Sequence, residues 1–542
     1  MLSFIDPNVF TDLEFFLSLS NNTNPIINSF DPYLITKSSK YHIIHSLKHP
    51  IYNIPSLISR QQTLHNFITI YNKNKKIIDK HLNIIQKTED DLNWVISKKF
   101  DECEDVVDIM KSVYFSFYPT QFLNNISFVL TMKNVYTILI APLLGILSPL
   151  MYIIVPYFII VYKLKFKIPI RSFVSFFIKA LISNHHLRKI FCFQLLTLGL
   201  SLFLYCNTIL NMIELSSNTY MVCKTIYTRV SNVLSYVNSC QELVKLFEIE
   251  LSDEHCELIK FINSLDSKLN RINFGEKLVL YTNLFNYSIK DFRYFIDKSL
   301  LSIVPIIKLI QNQPSCFVKY IESDTFYINA TDLYHLSLSA SVTNNIVLDQ
   351  QNALITGPNA AGKSTIIKSL LLNVILGQTY GIACCSRFEL TPFYYITSQI
   401  HIPDVKGKMS LFEAEMFRCK QTIDIVDELS KNRKSLIIMD EVFSSTNIVE
   451  GVSGGFGILD YLSNFENVCV VATTHYIYLT KLPKFNKFKM EANVNDNNEV
   501  ISYDYKLKKG TSKQFIAIEL LKKQFNQNII NTALNTKQKL LV

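Results

Sequence analysis

The 542-residue chain holds eleven cysteines but no C-x-x-C pair and no histidine cluster, which excludes a zinc centre of the usual ligand spacing and gives no disulfide framework. The adjacent Cys384 and Cys385 read as core residues beside a strand. Met1 to Phe16 carries acidic residues and no basic run, so no cleaved signal peptide is expected. There is no internal repeat. Charge is missing from Val135 to Tyr162 and from Ile190 to Ile213, and acid is missing from Lys163 to Lys189. The abundance of Asn, Ile, Lys, Phe and Tyr resembles the output of an A/T-rich genome, so single Lys and Asn positions carry little weight.

What is present begins with Gly357-Pro358-Asn359-Ala360-Ala361-Gly362-Lys363-Ser364-Thr365, which fits G-x-x-x-x-G-K-[ST]. Leu354-Ile355-Thr356 reads as the end of a strand before it, and Ile366 to Leu376 as an apolar helix after it. Glycines let successive N–H groups curl inward around an anion, and the helix N-terminus adds partial positive charge. Lys363 is placed to reach the β- and γ-phosphates of ATP, and the Ser364 hydroxyl to hold Mg²⁺. The plainer alternative, a glycine turn before an ordinary helix, does not account for the strand and helix both being in place.

A second apolar run, Ser435 to Met439, reads as a buried parallel strand and ends in Asp440-Glu441. Downstream of a phosphate loop, Asp440 is the candidate outer partner of Mg²⁺ and Glu441 the group that polarises the attacking water. A third run, Val468 to Ala472, ends in Thr473-Thr474-His475-Tyr476. This places His475 at the sheet edge where ligands of open α/β sheets bind, as a candidate γ-phosphate sensor.

Together these pieces resemble the MutS family of mismatch-repair ATPases, a branch of the ABC-type ATPases. Ser410-Leu411-Phe412-Glu413-Ala414-Glu415-Met416 is similar to the family's S-T-F-x-x-E-M element. Tyr505 to Gly510, with a helix opening at Ser512, resembles its closing strand and helix. The resemblance covers roughly Phe326 to Leu521. It implies a dimer in which Ser410 reaches the γ-phosphate held by the neighbouring subunit, and it implies DNA as a partner. Two departures stand out. Ser445 replaces the glycine of D-E-x-x-x-G-T, and Ser341-Val342-Thr343-Asn344 lacks the aromatic that stacks on adenine in the family.

The remainder is unusually apolar. Hydrophobic residues make up 49% of the chain and mean hydropathy is +0.18. Each uncharged segment exceeds the ~20 residues that cross a ~30 Å hydrocarbon core, so the pair reads as a transmembrane hairpin; the alternative is two buried core helices. Pro142, Pro149 and Pro156 are expected to kink the first segment or to break it into a re-entrant hairpin. Between the segments lie Lys163, Lys165, Lys167, Arg171, Lys179, Arg188 and Lys189, which account for most of the net charge of +9. Interleaved with Phe166, Ile168, Ile170, Phe173, Val174, Phe177 and Leu181, they suit a helix in an anionic membrane interface, with a DNA-phosphate patch as the alternative. The positive-inside tendency places this loop in the cytoplasm, and two crossings then separate the ATPase from ATP. Either the loop departs from that tendency or one segment is re-entrant.

The expected organisation is multidomain. Residues 1–133 are a helical region similar to the MutS core, where His42 to Leu64 resembles a short helix, a proline turn and a helix carrying Arg60. Residues 134–213 form the hairpin with basic loop 163–189, and 214–325 hold a long returning lever helix, from apolar spacing between Tyr220 and Leu251. Residues 326–521 form the α/β P-loop domain and 522–542 a basic tail. In the family, levers carry a DNA clamp; here a membrane hairpin stands in its place. Phe100-Asp101-Glu102 matches a mismatch-wedge motif by letters only. The chain begins near the core, which makes mismatch sensing doubtful. The expectation is a membrane-anchored, dimeric, Mg²⁺-dependent ATPase with its ATPase domain on the cytosolic side. It acts either on DNA, in repair or recombination, or as a membrane mechanochemical protein that has lost mismatch recognition.

Overall fold

The computed structural model describes residues 3–18, 24–97, 110–182, 188–253, 255–257, 259–260, 274–284, 289–338, 340–402, 410–429, 432–494, 500–512, 514 and 525–540. Phe100-Asp101-Glu102 and the helix expected from Ser512 lie outside them. The chain divides into two compact units, one of Met1–Lys75 with Asp297–Val542 and one of Lys76–Ile296.

The first unit opens with strand β1 (Phe4–Ile5) and helix α1 (Asn8–Asp12). Helix α2 (Lys37–Lys48) starts at Thr36, whose hydroxyl accepts the Ser39 N–H at 3.1 Å. Asn53 caps helix α3 (Ile54–Ile96) by accepting the Ser56 N–H at 3.0 Å, and a non-helical Asn74 interrupts the helix.

The second unit is helical. Helix α4 (Ser127–Val135) runs through a π turn at Tyr136–Ile140 into α5 (Ala141–Phe158) and a second π turn at Ile159–Lys163. The three prolines therefore leave the helix continuous, and the expected re-entrant break does not occur. Helix α6 (Ile170–Ile182) follows, then the long α7 (Arg188–Leu246), whose side chains before Gly199 lie outside the described residues. Pro142 has no N–H for the Ile138 carbonyl, which instead accepts the Ser216 hydroxyl of α7 at 2.6 Å. Pro149 likewise frees the Gly145 carbonyl, which accepts Ser148 Oγ at 2.8 Å and the Tyr205 hydroxyl of α7 at 3.2 Å. The carbonyls freed by Pro142 and Pro149 thus both find hydroxyl donors. Further along α7, Ile226, Val230, Val233, Leu234, Val237 and Leu243 are buried at the helical spacing read from the sequence.

Among the described residues one helix is long and apolar enough to cross a membrane, Ser127–Met151, with a shorter apolar helix at Ile154–Lys163. The expected second spanning segment, Ile190 to Ile213, does not stand apart as a helix of its own. It is the first part of α7, which continues without a break into the packed core. Helices α8 (Phe274–Leu284) and α9 (Ile289–Ile296) complete the unit. Lys277 of α8 donates to Ser231 Oγ at 2.6 Å and lies 3.4 Å over the Tyr227 ring.

The chain re-enters the first unit through α10 (Val304–Asn312) and the short strands β2 (Cys316–Phe317) and β3 (Lys319–Tyr320). Strands β4 (Tyr327–Leu333) and β5 (Asn344–Asp349) pair antiparallel. Then come β6 (Asn352–Thr356), helix α11 (Lys363–Tyr380), β7 (Ile382–Ala383), β8 (Arg387–Leu390) and β9 (Tyr395–Gln399). Helix α12 (Leu411–Glu428), β10 (Ser435–Met439), α13 (Ile448–Ser463) and β11 (Val468–Thr474) follow. Last are β12 (Phe485–Lys489), β13 (Ala492–Val494), β14 (Val500–Tyr503), β15 (Lys508–Lys509) and α14 (Gln527–Leu540), a helix within the expected basic tail.

The main sheet has the order β1-β9-β10-β11-β6-β12-β15 and is parallel except for β15. Strands β6, β10 and β11 are buried along their whole length, as unbroken apolar runs of central parallel strands must be. The edge strand β1 comes from the far N-terminus and pairs with Tyr395 and Ile396. A second, four-stranded sheet has the order β3-β8-β4-β5.

Candidate functional site

Strands β6, β10 and β11 end at one edge of the main sheet because they are parallel neighbours in register: Met439 faces Ala472, and Thr474 faces Thr356. The loops leaving these ends therefore converge. Gly362, in a left-handed conformation (φ +97°), turns the chain into α11, and Gly357 packs so closely on the Met490 carbonyl that an added Cβ atom would lie 2.3 Å from it. The loop borders a cleft of about 550 Å³ lined by Asn359, Ala360, Gly362, Lys363, Ser364 and Thr365, with Glu441 on the opposite side. Pro358 and Ala361 lie behind this lining.

Lys363 is 4% exposed, and its ammonium donates to the Gly357 and Pro358 carbonyls at 3.0 and 3.1 Å. Burial pulls its pKa below the ordinary lysine value, opposed by Glu441 and Asp440. Glu441 Oε1 lies 3.7 Å from this ammonium and accepts from His475 Nε2 at 2.5 Å. The His475 hydrogen bond, more than any other influence, holds the Glu441 carboxyl below its usual value; burial opposes it, and Lys363 adds to it. Glu441 is thus a carboxylate at neutral pH, held by two cationic or donor groups.

The Thr473 hydroxyl links the two acids: it donates to the Asp440 carboxylate and accepts the Glu441 N–H at 3.0 Å. The Asp440 N–H donates to the Gln399 carbonyl at 2.9 Å, which ties the acid to β9. Ser364 brings a hydroxyl and Asp440 a carboxylate, the oxygen donors a hard divalent cation takes. Ser410 is set apart from the cleft lining. It is the N-cap of α12 in a capping box: its hydroxyl accepts the Glu413 N–H at 3.2 Å, and its own N–H donates to Glu413 Oε2 at 2.8 Å.

Backbone strain concentrates here. Of the nine described non-glycine residues with positive φ, Ala360 (+64°), Glu441 (+50°), Phe443 (+54°) and Tyr505 (+52°) lie in or beside the cleft. Such conformations cost roughly 1–3 kcal/mol each and persist only where the surroundings over-determine them. Ser445, which stands where a glycine was expected, is not among them, so the backbone there makes no demand for glycine.

Two contributors were missed in the sequence. Thr473 was read only as part of a strand end; its position opposite Asp440 follows from the β10–β11 register. Tyr505 is an aromatic of the cleft lining, where the stretch Ser341 to Asn344 has none. It lines the cleft with Ser341, Val342 and Asn344, and Asn344 fixes it by donating to the Tyr505 carbonyl at 3.1 Å and accepting the Leu507 N–H at 2.7 Å. No spacing rule links positions so far apart in the chain.

Residues 353–541 match the family model described as MutS domain V. Over 188 residues the chain is 29% identical to DNA mismatch repair protein MutS of Persephonella marina, covering 33% of this chain and 21% of that protein. It is 29% identical over 223 residues to Endonuclease MutS2 of Staphylococcus epidermidis, covering 41% and 26%. With DNA mismatch repair protein MutS of Fusobacterium nucleatum the identity is 32% over 147 residues, covering 26% and 16%. These matches make the C-terminal third of the chain similar to MutS domain V and to the corresponding part of MutS and MutS2 proteins. The chain spans about a fifth to a quarter of the length of the first of these MutS and MutS2 relatives. The helical second unit, Lys76–Ile296, lies outside the family-model match.

Proposed function

We propose that this protein is a Mg²⁺-dependent ATPase of the MutS type, working as a dimer and attached to a membrane through its second unit. The observation that carries the hydrolytic reading is the Lys363–Glu441–His475 group at the mouth of the cleft. Lys363 and the loop amides hold phosphate charge, Ser364 and Asp440 hold the metal, Glu441 orients water, and His475 responds to the γ-phosphate. Magnesium supplies positive charge against the phosphate oxygens. Tyr505 offers its ring to the base. Ser410, at an exposed helix N-terminus outside the cleft lining, acts on the site of a second subunit.

Support for the membrane reading is the exposed apolar side chains of α5, the π turn before it and α7, which include Leu139, Leu143, Phe158, Phe203 and Leu210. Exposed apolar patches mark protein or membrane interaction sites. The ATPase domain faces the cytosol, where ATP is, and the apolar helices are multi-pass, since the prolines leave the first of them unbroken.

The names of the relatives favour a DNA load in mismatch repair, with recombination as its companion reading. The apolar helices of the second unit favour a membrane mechanochemical load instead. The test is ATP hydrolysis by the detergent-solubilised protein, with and without Mg²⁺ and across a salt series with DNA. No Mg²⁺-dependent turnover overturns the hydrolytic reading. No stimulation by duplex, mismatched or branched DNA overturns the repair reading, and recovery in the soluble fraction overturns the anchor.

A further inference from the structure

Strand β2 pairs antiparallel with β7, with Cys316 opposite Ala383 and Phe317 opposite Ile382. This register brings Cys316 Sγ to 3.5 Å from Cys385 Sγ, across a sequence separation of 69 residues. Disulfide bonding needs ~2.05 Å, so the two sulfurs stand about 1.5 Å short of bonding distance. Cys316 is partly exposed while Cys385 is buried, so an oxidant in solution reaches the first and not the second. The neighbouring Cys384 is engaged elsewhere, hydrogen-bonded to Tyr334.

We propose that Cys316 and Cys385 are a peroxide-responsive dithiol that closes into a reversible intrachain disulfide. The Cys316 thiol gives up its proton and its sulfur attacks one peroxide oxygen; the S–O bond forms, the O–O bond breaks, and the departing hydroxide takes up that proton and leaves as water, so a sulfenic acid remains. The Cys385 thiol then attacks that sulfur; the S–S bond forms, the S–O bond breaks and a second water leaves. Two thiols are oxidised and one hydrogen peroxide is reduced to two waters. The arrangement prepares both roles. The hydrogen bond between the two sulfurs leads in holding the Cys316 thiol below its usual value, and that bond together with burial holds Cys385 up. Cys316, partly exposed, is the thiol the oxidant reaches, and Cys385, buried beside it, is the resolving thiol.

The closed loop contains the phosphate loop and all of α11. The same end of α11 is already gripped by Val318 N–H and Gln61 Nε2, which donate to the Gly381 carbonyl at 2.9 and 2.7 Å, and by Tyr320, which donates to the Gly377 carbonyl at 2.7 Å. The disulfide adds a covalent tie between β2 and the segment after β7, the strand that follows the helix opening at Lys363.

The test treats the full-length protein briefly with stoichiometric hydrogen peroxide, blocks free thiols and maps the peptides by mass spectrometry. A Cys316–Cys385 linked peptide, about two mass units lighter than the pair of thiol peptides and lost on treatment with dithiothreitol, is the expected result. The link persists in Cys384→Ser and is absent from Cys316→Ser. In Cys385→Ser, Cys316 is trapped as a sulfenic acid by dimedone. Cys316 remaining alkylatable in the parent while the exposed Cys206 is oxidised overturns the proposal, and so does a link through Cys384. The parent's peptide map stands by itself if a serine variant fails to fold.

Discussion

His475 Nε2 lies 2.5 Å from Glu441 Oε1, at the carboxyl ends of the adjacent parallel strands β11 and β10. The contact keeps Glu441 ionised and aimed across the cleft at Lys363. The left-handed backbone at Glu441 (φ +50°) and the Thr473 bridge to its N–H show how firmly that aim is held.

Glu441→Gln removes the carboxylate while preserving shape. Turnover is expected to fall about 100-fold or more, the usual scale of general-base losses. ATP stays bound and the dimer is trapped, read by nucleotide retention and light scattering. Hydrolysis at the parental rate would refute the assignment.

Lys363→Ala deletes the buried ammonium. Bonds to charged groups contribute about 1.5–3 kcal/mol, so ATP affinity should weaken roughly 10–100-fold. Titration with a fluorescent nucleotide measures it, and unchanged affinity would mean that the loop holds phosphate without Lys363.

If Ser410 acts across a dimer, mixing Ser410→Ala with Lys363→Ala subunits creates one intact site per heterodimer. The mixture should hydrolyse ATP faster than either variant alone. Activity equal to the average of the two would mean that Ser410 serves its own subunit or none.

Glu389, within the second sheet, accepts from Arg387 at 2.8 Å, Lys319 at 3.1 Å and Asn329 at 3.1 Å. The Arg387 bond leads in lowering its pKa from 4.5 to about 2. Because the folded value lies below the unfolded one, the stabilisation is complete above about pH 4.5 and is lost as pH falls toward 2. Glu389→Gln should therefore cost about 1 kcal/mol at pH 7, discounted because both cations are largely exposed, and progressively less below pH 4.5. A pH-independent loss in thermal or denaturant unfolding would rule out this charge-based account.

Lys163, Lys165 and Lys167 follow the apolar helix directly. Each cation near an anionic bilayer contributes about 1 kcal/mol, so reversing all three to Glu should sharply reduce flotation with anionic vesicles and change little with zwitterionic ones. Equal flotation on both would show that charge is not part of the attachment.

Much of the site was legible because its chemistry is local. A phosphate loop must place glycine, lysine and hydroxyl within one turn, and the acid strand and His475 sit at the ends of short apolar runs that only buried parallel strands produce. The capping box at Ser410 is also written within four residues. The N-terminal strand was not legible: Phe4-Ile5 is too short to carry a pattern, and only its pairing with β9 makes it a strand. Whether the prolines break the helix is not legible for a similar reason. Their effect on the helix depends on whether the freed carbonyls find donors, and Ser216 and Tyr205 on a distant helix supply them.

By itself the sequence determined the phosphate loop, its acidic partners and the two uncharged stretches, since each depends on residues close together along the chain. Tertiary structure alone decided that Thr473 joins the two acids, that Tyr505 faces the cleft, and that Cys316 meets Cys385. Those relations arise from strand register and sheet order, which bring distant segments within a few ångströms and leave no periodic trace in the chain.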